Sequence, residues 1–197
     1  LRMWLDFEKG RVHAFDADVA LAGVQARLSE ELPQLDLREL RGRVGWHEME
    51  RGFEIMTKRL ALQMRDGLKL NPTDFHLRLS GGKNTKLASG EMRANVLELA
   101  DLGILSSYLP LGDKLKKQIA DAAPQGRVTG LNARWQGNVG DIARYQVKAR
   151  FEGLSLRRVG GMPGFSGLSG EVDGADASGT FSLDSRNFKL DAPQLFA

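Results

Sequence analysis

The side chains that most often carry catalysis or metal binding are sparse in this chain of 197 residues. It contains no cysteine, so disulfides and thiolate metal sites are excluded. Its three histidines, His13, His47 and His76, are not at the spacing of a metal-ligand motif. His47 and Glu48 could form an acid–base pair, but both fall in a predicted exposed hairpin turn at residues 46–52, where no cleft would tune their pKa values. We therefore predict no catalytic residue, no metal site and no cofactor.

Two other polar clusters have a structural explanation as well as a functional one. Residues 173–176 faintly resemble a calcium loop, but they lack the ligand pattern of an EF-hand and fall at a predicted hairpin turn. Lys114, Lys116 and Lys117 could touch anionic lipid heads, although such lysines also suit the wet face of an amphipathic helix. We favour the structural explanation for both clusters.

Charge and hydropathy argue against two classes of interaction for this segment. The 28 basic and 25 acidic residues are interleaved and give a net charge of only +3, so nucleic acid is a poor candidate partner. The most apolar stretch, residues 96–111, contains Glu98 and Asp101 and is too short to span a membrane. Because the chain begins at Leu1 without an initiator methionine or a signal sequence, we expect it to be a segment of a longer protein.

Most of the chain alternates apolar and polar residues with a period of two, which predicts strands with one covered face and one wet face. Leu1, Met3, Leu5 and Phe7 open this pattern. The apolar positions change parity near residues 38–39, so we predict a bulge or bend there. The chain is therefore predicted to be mainly β.

The strand pattern repeats within the chain. The alternating residues Phe15, Ala17, Val19 and Leu21 recur 130 positions later as Tyr145, Val147, Ala149 and Phe151. Seven positions of a predicted hairpin recur at a separation of 128: Leu40, Gly42, Val44, Phe53, Ile55, Leu60 and Leu62 become Leu168, Gly170, Val172, Phe181, Leu183, Phe188 and Leu190. We predict one continuous segment over residues 1–197, with repeat copies at about 10–70 and about 126–190.

Between the copies, at about residues 97–122, the apolar spacing becomes helical. The apolar positions are Leu102, Leu105, Leu109, Leu115 and Ile119. All of them except Leu109 are predicted to pack two short helices against the sheet. Pro110 would separate the helices, Asp113 is a candidate N-cap for the second, and Pro124 with Gly126 would end it.

An alternating apolar stripe has more than one structural explanation. In most β proteins it is the inside of a sandwich, and the alternative is an open, curved sheet whose apolar face stays available. A carbohydrate-binding or hydrolytic β domain would need exposed aromatic residues beside paired carboxylates, and we find no such set. Periodicity alone does not distinguish the sandwich from the open sheet.

A series of landmarks bears on this choice. They are the leucine-rich residues 97–111, Pro124-x-Gly126-x-Val128, Trp135-x-Gly137, Tyr145-x-Val147-x-Ala149-x-Phe151, Pro163-Gly164-Phe165-x-Gly167-Leu168-x-Gly170 and Leu190-Asp191-x-Pro193-x-x-Phe196. This half of the chain resembles the AsmA-like proteins of Gram-negative envelopes, in particular their YhdP branch. From Leu1 to Val96 the resemblance is one of pattern. None of the landmarks is catalytic, so the resemblance implies a scaffold that is not an enzyme.

The resemblance implies an elongated, curved antiparallel sheet of the groove or half-barrel type, built from tandem repeats with two short helices near the middle. It also implies a periplasmic parent protein, anchored in the inner membrane by parts outside this segment, that acts as a bridge-like phospholipid conduit between the inner and outer membranes. Its expected partners are phospholipid acyl chains and, in addition, envelope proteins.

An apolar trough is enough to hold acyl chains, because each methylene kept from water contributes about 0.8 kcal/mol. We predict that Phe15, Val19, Leu21, Tyr145, Val147 and Phe151 line this trough. The alternative function is an envelope-assembly scaffold that acts through protein contacts, with the apolar face of the same sheet filled internally.

Overall fold

Strands and two short helices follow one another along the chain in the computed structural model, which describes residues 1–81, 88–138, 141–160 and 162–192. The elements are β1 (Arg2–Glu8), β2 (Arg11–Ala26), β3 (Leu35–Met49), β4 (Gly52–Met64), β5 (Lys69–Ser80), β6 (Ser89–Glu98), α1 (Leu99–Ser106), α2 (Asp113–Ala122), β7 (Gln125–Asn138), β8 (Asp141–Leu156), β9 (Gly164–Ala175), β10 (Gly179–Leu183) and β11 (Lys189–Asp191). Strands account for 68% of the residues, so the prediction of a mainly β chain is confirmed. The landmarks Pro193 and Phe196 lie outside the described residues.

All strands belong to one antiparallel sheet in which sequence neighbours are also spatial neighbours, from β1 to β10. The short strand β11 pairs with β9 next to β10, so these two pieces form one interrupted edge. The sheet is curved and open. The predicted open, curved sheet with two short helices near the middle is therefore confirmed, and the strands that the structure describes do not form a sandwich.

Residues that are paired across neighbouring strands keep apolar side chains on one face of the sheet. One line of paired residues crosses nine strands: Leu5, Phe15, Trp46, Ile55, Leu77, Met92, Ala133, Val147 and Gly174. We call this set the apolar row. Side chains directly opposite each other in antiparallel strands share a face. The apolar row therefore marks one side of the whole sheet, which we call the apolar face.

Five strands contain a residue with positive φ at which the apolar positions change parity. These residues are Gly23 in β2, Arg59 in β4, Gly130 in β7, Gly153 in β8 and Gly167 in β9, and we call them the bulge line. In β8, for example, Phe151 is followed on the apolar face by Leu154. An additional residue in a strand keeps the later side chains on the same face and bends the strand. The bend predicted near residues 38–39 is also confirmed, because the β3–β4 register shifts between Leu37 and Glu39.

The strands that align at a separation of 130 have the same length: β2 and β8 each contain 16 residues. Their glycines Gly23 and Gly153 have φ values of 63° and 60°. Both expected hairpins, β3–β4 and β9–β10, are present. The first turn is shorter than predicted, because β3 continues to Met49, and the second turn follows β9 at residues 176–178. The division of the chain into two repeat copies stays a prediction.

The helix α1 covers one end of the apolar face. Six buried side chains form a core cluster there: Leu35, Leu37, Leu62, Met64, Leu68 and Leu70. Leu102, Leu105 and Tyr108 pack against this core cluster, which confirms the prediction for the two leucines.

The helix α2 does not pack as predicted. Leu115 is 47% exposed, Ile119 is half-buried, and no residue of α2 is buried. Helical spacing identifies an apolar stripe but not its partner, and α2 contacts mainly α1. The predicted N-cap is also one residue late, because Gly112 is the N-cap and Asp113 is the first helical residue.

Two leucine-to-alanine substitutions test this assignment of the core. Leu70 is 5% exposed within the core cluster, whereas Leu115 is 47% exposed on α2. Leu70→Ala should lower the free energy of unfolding by about 2 to 5 kcal/mol, and the chemically identical change Leu115→Ala by less than about 1 kcal/mol. Urea unfolding measures both. Equal losses would show that the core does not lie where we place it.

Candidate functional site

All six residues predicted to line a lipid trough lie on the apolar face. They are Phe15, Val19 and Leu21 in β2 and Tyr145, Val147 and Phe151 in β8. Phe15 and Val147 are members of the apolar row. Five strands separate β2 from β8, so the structure places the two sets on one face without bringing them to one point.

The six candidates differ in exposure. Phe15 is half-buried and stacks on Trp46, with ring centroids 6.4 Å apart. Tyr145 is 47% exposed, whereas Phe151 is only 6% exposed and stacks on Phe181 at 5.8 Å. Phe151 therefore packs within the sheet surface, while Phe15 and Tyr145 present apolar area to a ligand. Contact of these residues with lipid stays a prediction.

The six candidates do not include the middle of the apolar row. Trp46, Ile55, Leu77 and Met92 connect β2 to the second half of the sheet, and all four are half-buried. The candidates were taken from the recurrence of β2 in β8, whereas simple alternation within β3 to β6 was the signal that could have found these residues. The candidate site is therefore a broad surface.

The opposite face of the sheet is charged, and neighbouring strands supply matching charges. Arg43 Nε donates to Asp18 Oδ1 at 2.6 Å, and Lys148 Nζ donates to Asp173 Oδ2 at 2.7 Å. The first bond lowers the pKa of Asp18, and the second raises the pKa of Lys148. Asp173, which the sequence places in a calcium-like turn, thus lies in β9 and is engaged by a lysine. We call this side the charged face.

His47 and Glu48 do not form an acid–base pair, and their predicted position in an exposed turn is wrong. Both lie in β3, where successive side chains point to opposite faces. His47 Nε2 is 2.9 Å from Asp16 Oδ2 on the charged face, while Glu48 Oε2 is 3.3 Å from His13 Nδ1. His47 and His13 are therefore engaged by different carboxylates, Asp16 and Glu48.

Glu54 on β4 connects two histidines of the charged face. Its Oε1 atom lies 2.6 Å from His76 Nε2, and its Oε2 atom lies 3.7 Å from His47 Nδ1. The hydrogen bond with His76 is the main cause that lowers the pKa of Glu54 below its ordinary value of 4.5, and partial burial opposes this effect. Within the described ranges, no three such side chains converge in the manner of a metal site.

Neither helix in the described part of the chain is long and apolar enough to cross a membrane. A family model described as YhdP protein matches residues 1–197. No curated protein and no solved structure matches the chain. The family match includes the first 96 residues, where the sequence alone resembles the family in pattern.

The substitution Glu54→Gln tests the link between this carboxylate and stability. Because its pKa is lower in the folded than in the unfolded chain, Glu54 stabilises the fold above its unfolded pKa, and this contribution is lost as the pH falls through the folded value. The stability difference between the wild type and Glu54→Gln should therefore shrink as the pH falls from about 5 to about 3 in urea unfolding. Glu50→Gln, in the exposed β3–β4 turn, removes a carboxylate without a histidine contact and serves as the control. A difference for Glu54→Gln that stays constant over this range would contradict the assignment.

Proposed function

The chain belongs to the YhdP family over residues 1–197, and we propose that it is a non-enzymatic module of a periplasmic, bridge-like phospholipid conduit between the inner and outer membranes. Membership of this family indicates a role related to lipid transport in the envelope. In our proposal the acyl chains lie along the apolar face. Parts of the parent protein outside residues 1–197 anchor it in the inner membrane.

The observation that supports this proposal is the width and accessibility of the apolar row. It crosses nine strands, and its first member, Leu5, is 46% exposed while Phe15 and Trp46 are half-buried. A broad apolar surface of this kind marks an interaction site in a folded protein. Acyl chains are suited to such a surface, because each methylene removed from water contributes about 0.8 kcal/mol.

The composition of the apolar row also suits movement along it. None of its nine members carries a charge, so an acyl chain meets chemically similar side chains at successive positions. The binding energy of an acyl chain then differs little between neighbouring positions. No single position binds the lipid tightly enough to stop its movement along the row. The charged headgroup stays in water, outside the trough.

We infer that the parent protein extends the apolar face across the open β1 edge of the sheet. Leu5 of β1 is the counterpart of Trp135 of β7 at the repeat separation of 130, and β7 pairs with β6 on the side where β1 is open. On this open edge, Met3 and Phe7 are 51% and 60% exposed. A strand similar to β6 from a flanking segment would cover them and continue the trough.

One observation favours the alternative function. The core cluster and α1 fill one end of the apolar face, as expected for an envelope-assembly scaffold whose apolar face is filled internally. In that case protein contacts would carry the function, and no lipid would lie on the rest of the apolar face.

Photo-crosslinking at adjacent positions distinguishes the two functions. Val19 and Ala20 are neighbours in β2 that point to opposite faces. A photo-crosslinking residue at Val19 in the full-length protein should capture phospholipid, detected by mass spectrometry, whereas one at Ala20 should not. Ala20 is a better control than Asp18, because replacing Asp18 would break its bond with Arg43.

Placing a new charge on each face in turn gives a second test, in which lipid transport is measured. Val19→Asp should impede lipid transport, because an unpaired charge among acyl chains costs several kcal/mol, whereas Ala20→Asp should leave transport unchanged. Circular dichroism checks that both variants fold. Equal lipid capture from the two faces, or normal transport by a folded Val19→Asp variant, would favour the scaffold.

A further inference from the structure

A depression of about 440 Å³ lies on the charged face, where β5, β6, β7 and β8 run side by side. The side chains of two rows of paired residues point into it. The first row consists of Arg78, Glu91, Arg134 and Gln146, and the second consists of Ser80, Ser89, Gln136 and Arg144. We call this set the arginine depression. It lies on the opposite side of the sheet from the apolar row, so it is independent of the proposed lipid trough.

The arginine depression departs from the charge matching found elsewhere on this face. Its single carboxylate, Glu91, is already bound by Arg93 and lies 3.5 Å from Arg134 Nη2. Among the residues whose side chains the structure describes, no carboxylate oxygen lies within 4.0 Å of the Arg78 or Arg144 guanidinium. The residue opposite Arg78 on β4 is Glu54, which is already bonded to His76. The arginine depression thus contains three guanidinium groups and one carboxylate, which is already engaged.

The uncharged groups of the arginine depression are hydrogen-bond donors as well. Ser80 and Ser89 contribute hydroxyls, and Gln136 and Gln146 contribute side-chain amides. Guanidinium groups bind phosphate through paired N–H donors, and such charge-assisted bonds are stronger than bonds between neutral groups. The volume is within the range of small-ligand sites. Donors and positive charge around a small depression fit an anion with several acceptor oxygens.

We propose that the arginine depression binds a phosphate group, with Arg78 and Arg144 as its principal ligands. A soluble phosphate compound and the phosphodiester of a lipid headgroup share this chemistry. Since the depression is on the charged face, a lipid bound here would use its headgroup alone, without acyl chains on the apolar row.

Isothermal titration calorimetry of the 197-residue chain tests the proposal, with inorganic pyrophosphate and monomeric dihexanoyl phosphatidylglycerol as separate probes. The double variant Arg78→Gln/Arg144→Gln should weaken binding of at least one probe by about tenfold or more. The control Arg41→Gln/Arg150→Gln removes the same charge from arginines already paired with Glu39 and Glu171, and should change binding by less than about twofold. Thermal unfolding checks that both double variants fold.

Each outcome decides the proposal. Binding of pyrophosphate that is lost in the first variant alone supports it with a soluble source, and such binding of phosphatidylglycerol alone supports it with a headgroup source. Equal weakening in both double variants would mean a general charge effect and overturn it. Absence of heat for both probes up to about 10 mM would also overturn it.

Discussion

The fold depends on keeping apolar side chains on one face of strands that are up to 16 residues long. Because successive residues point to opposite faces, a shift by one residue would move an apolar set onto the charged face. The bulge line prevents such a shift, because each of its members adds one residue to its strand where the sheet bends. Backbone groups at these bulges find side-chain acceptors: the Arg59 N–H donates to Asp74 Oδ1 at 2.6 Å, and the Gly153 N–H donates to Ser169 Oγ at 2.9 Å. Positive φ values and short polar side chains thus allow curvature without loss of the apolar face.

The two faces of the sheet contribute in different ways. Ion pairs such as Arg43 with Asp18 are exposed, so each contributes little to stability, and the strand ladders and the core cluster hold the fold. The matched charges instead keep one face in water, while the other face carries the apolar row. A curved sheet with this asymmetry can present a long apolar trough without any specific polar recognition. This property connects the fold to the lipid-conduit proposal.

Particular residues show how much the sequence determines. Alternation and the repeat were sufficient to predict strands, the two hairpins and the bend near residues 38–39. Alternation and the repeat were not sufficient to choose an open sheet over a sandwich, because both folds bury alternate residues. The resemblance to the YhdP branch supplied that choice. The predicted first turn begins too early, because the charged residue Glu48 interrupts the alternation of β3. The contact of Glu48 with His13 is visible only in three dimensions. The prediction that Leu115 packs against the sheet is wrong because helical spacing does not reveal what a helix packs against.

The three tryptophans offer the most direct test of the central claim that the apolar face alone holds acyl chains. Trp46 and Trp135 lie on the apolar face, whereas Trp4 pairs with Asp16 on the charged face. Single-tryptophan variants, with the other two replaced by phenylalanine, can be mixed with phospholipids brominated on their acyl chains, and fluorescence quenching can be measured. We expect quenching of Trp46 and Trp135 but not of Trp4. Equal quenching of all three, or unquenched Trp46 and Trp135 in folded protein, would contradict the account.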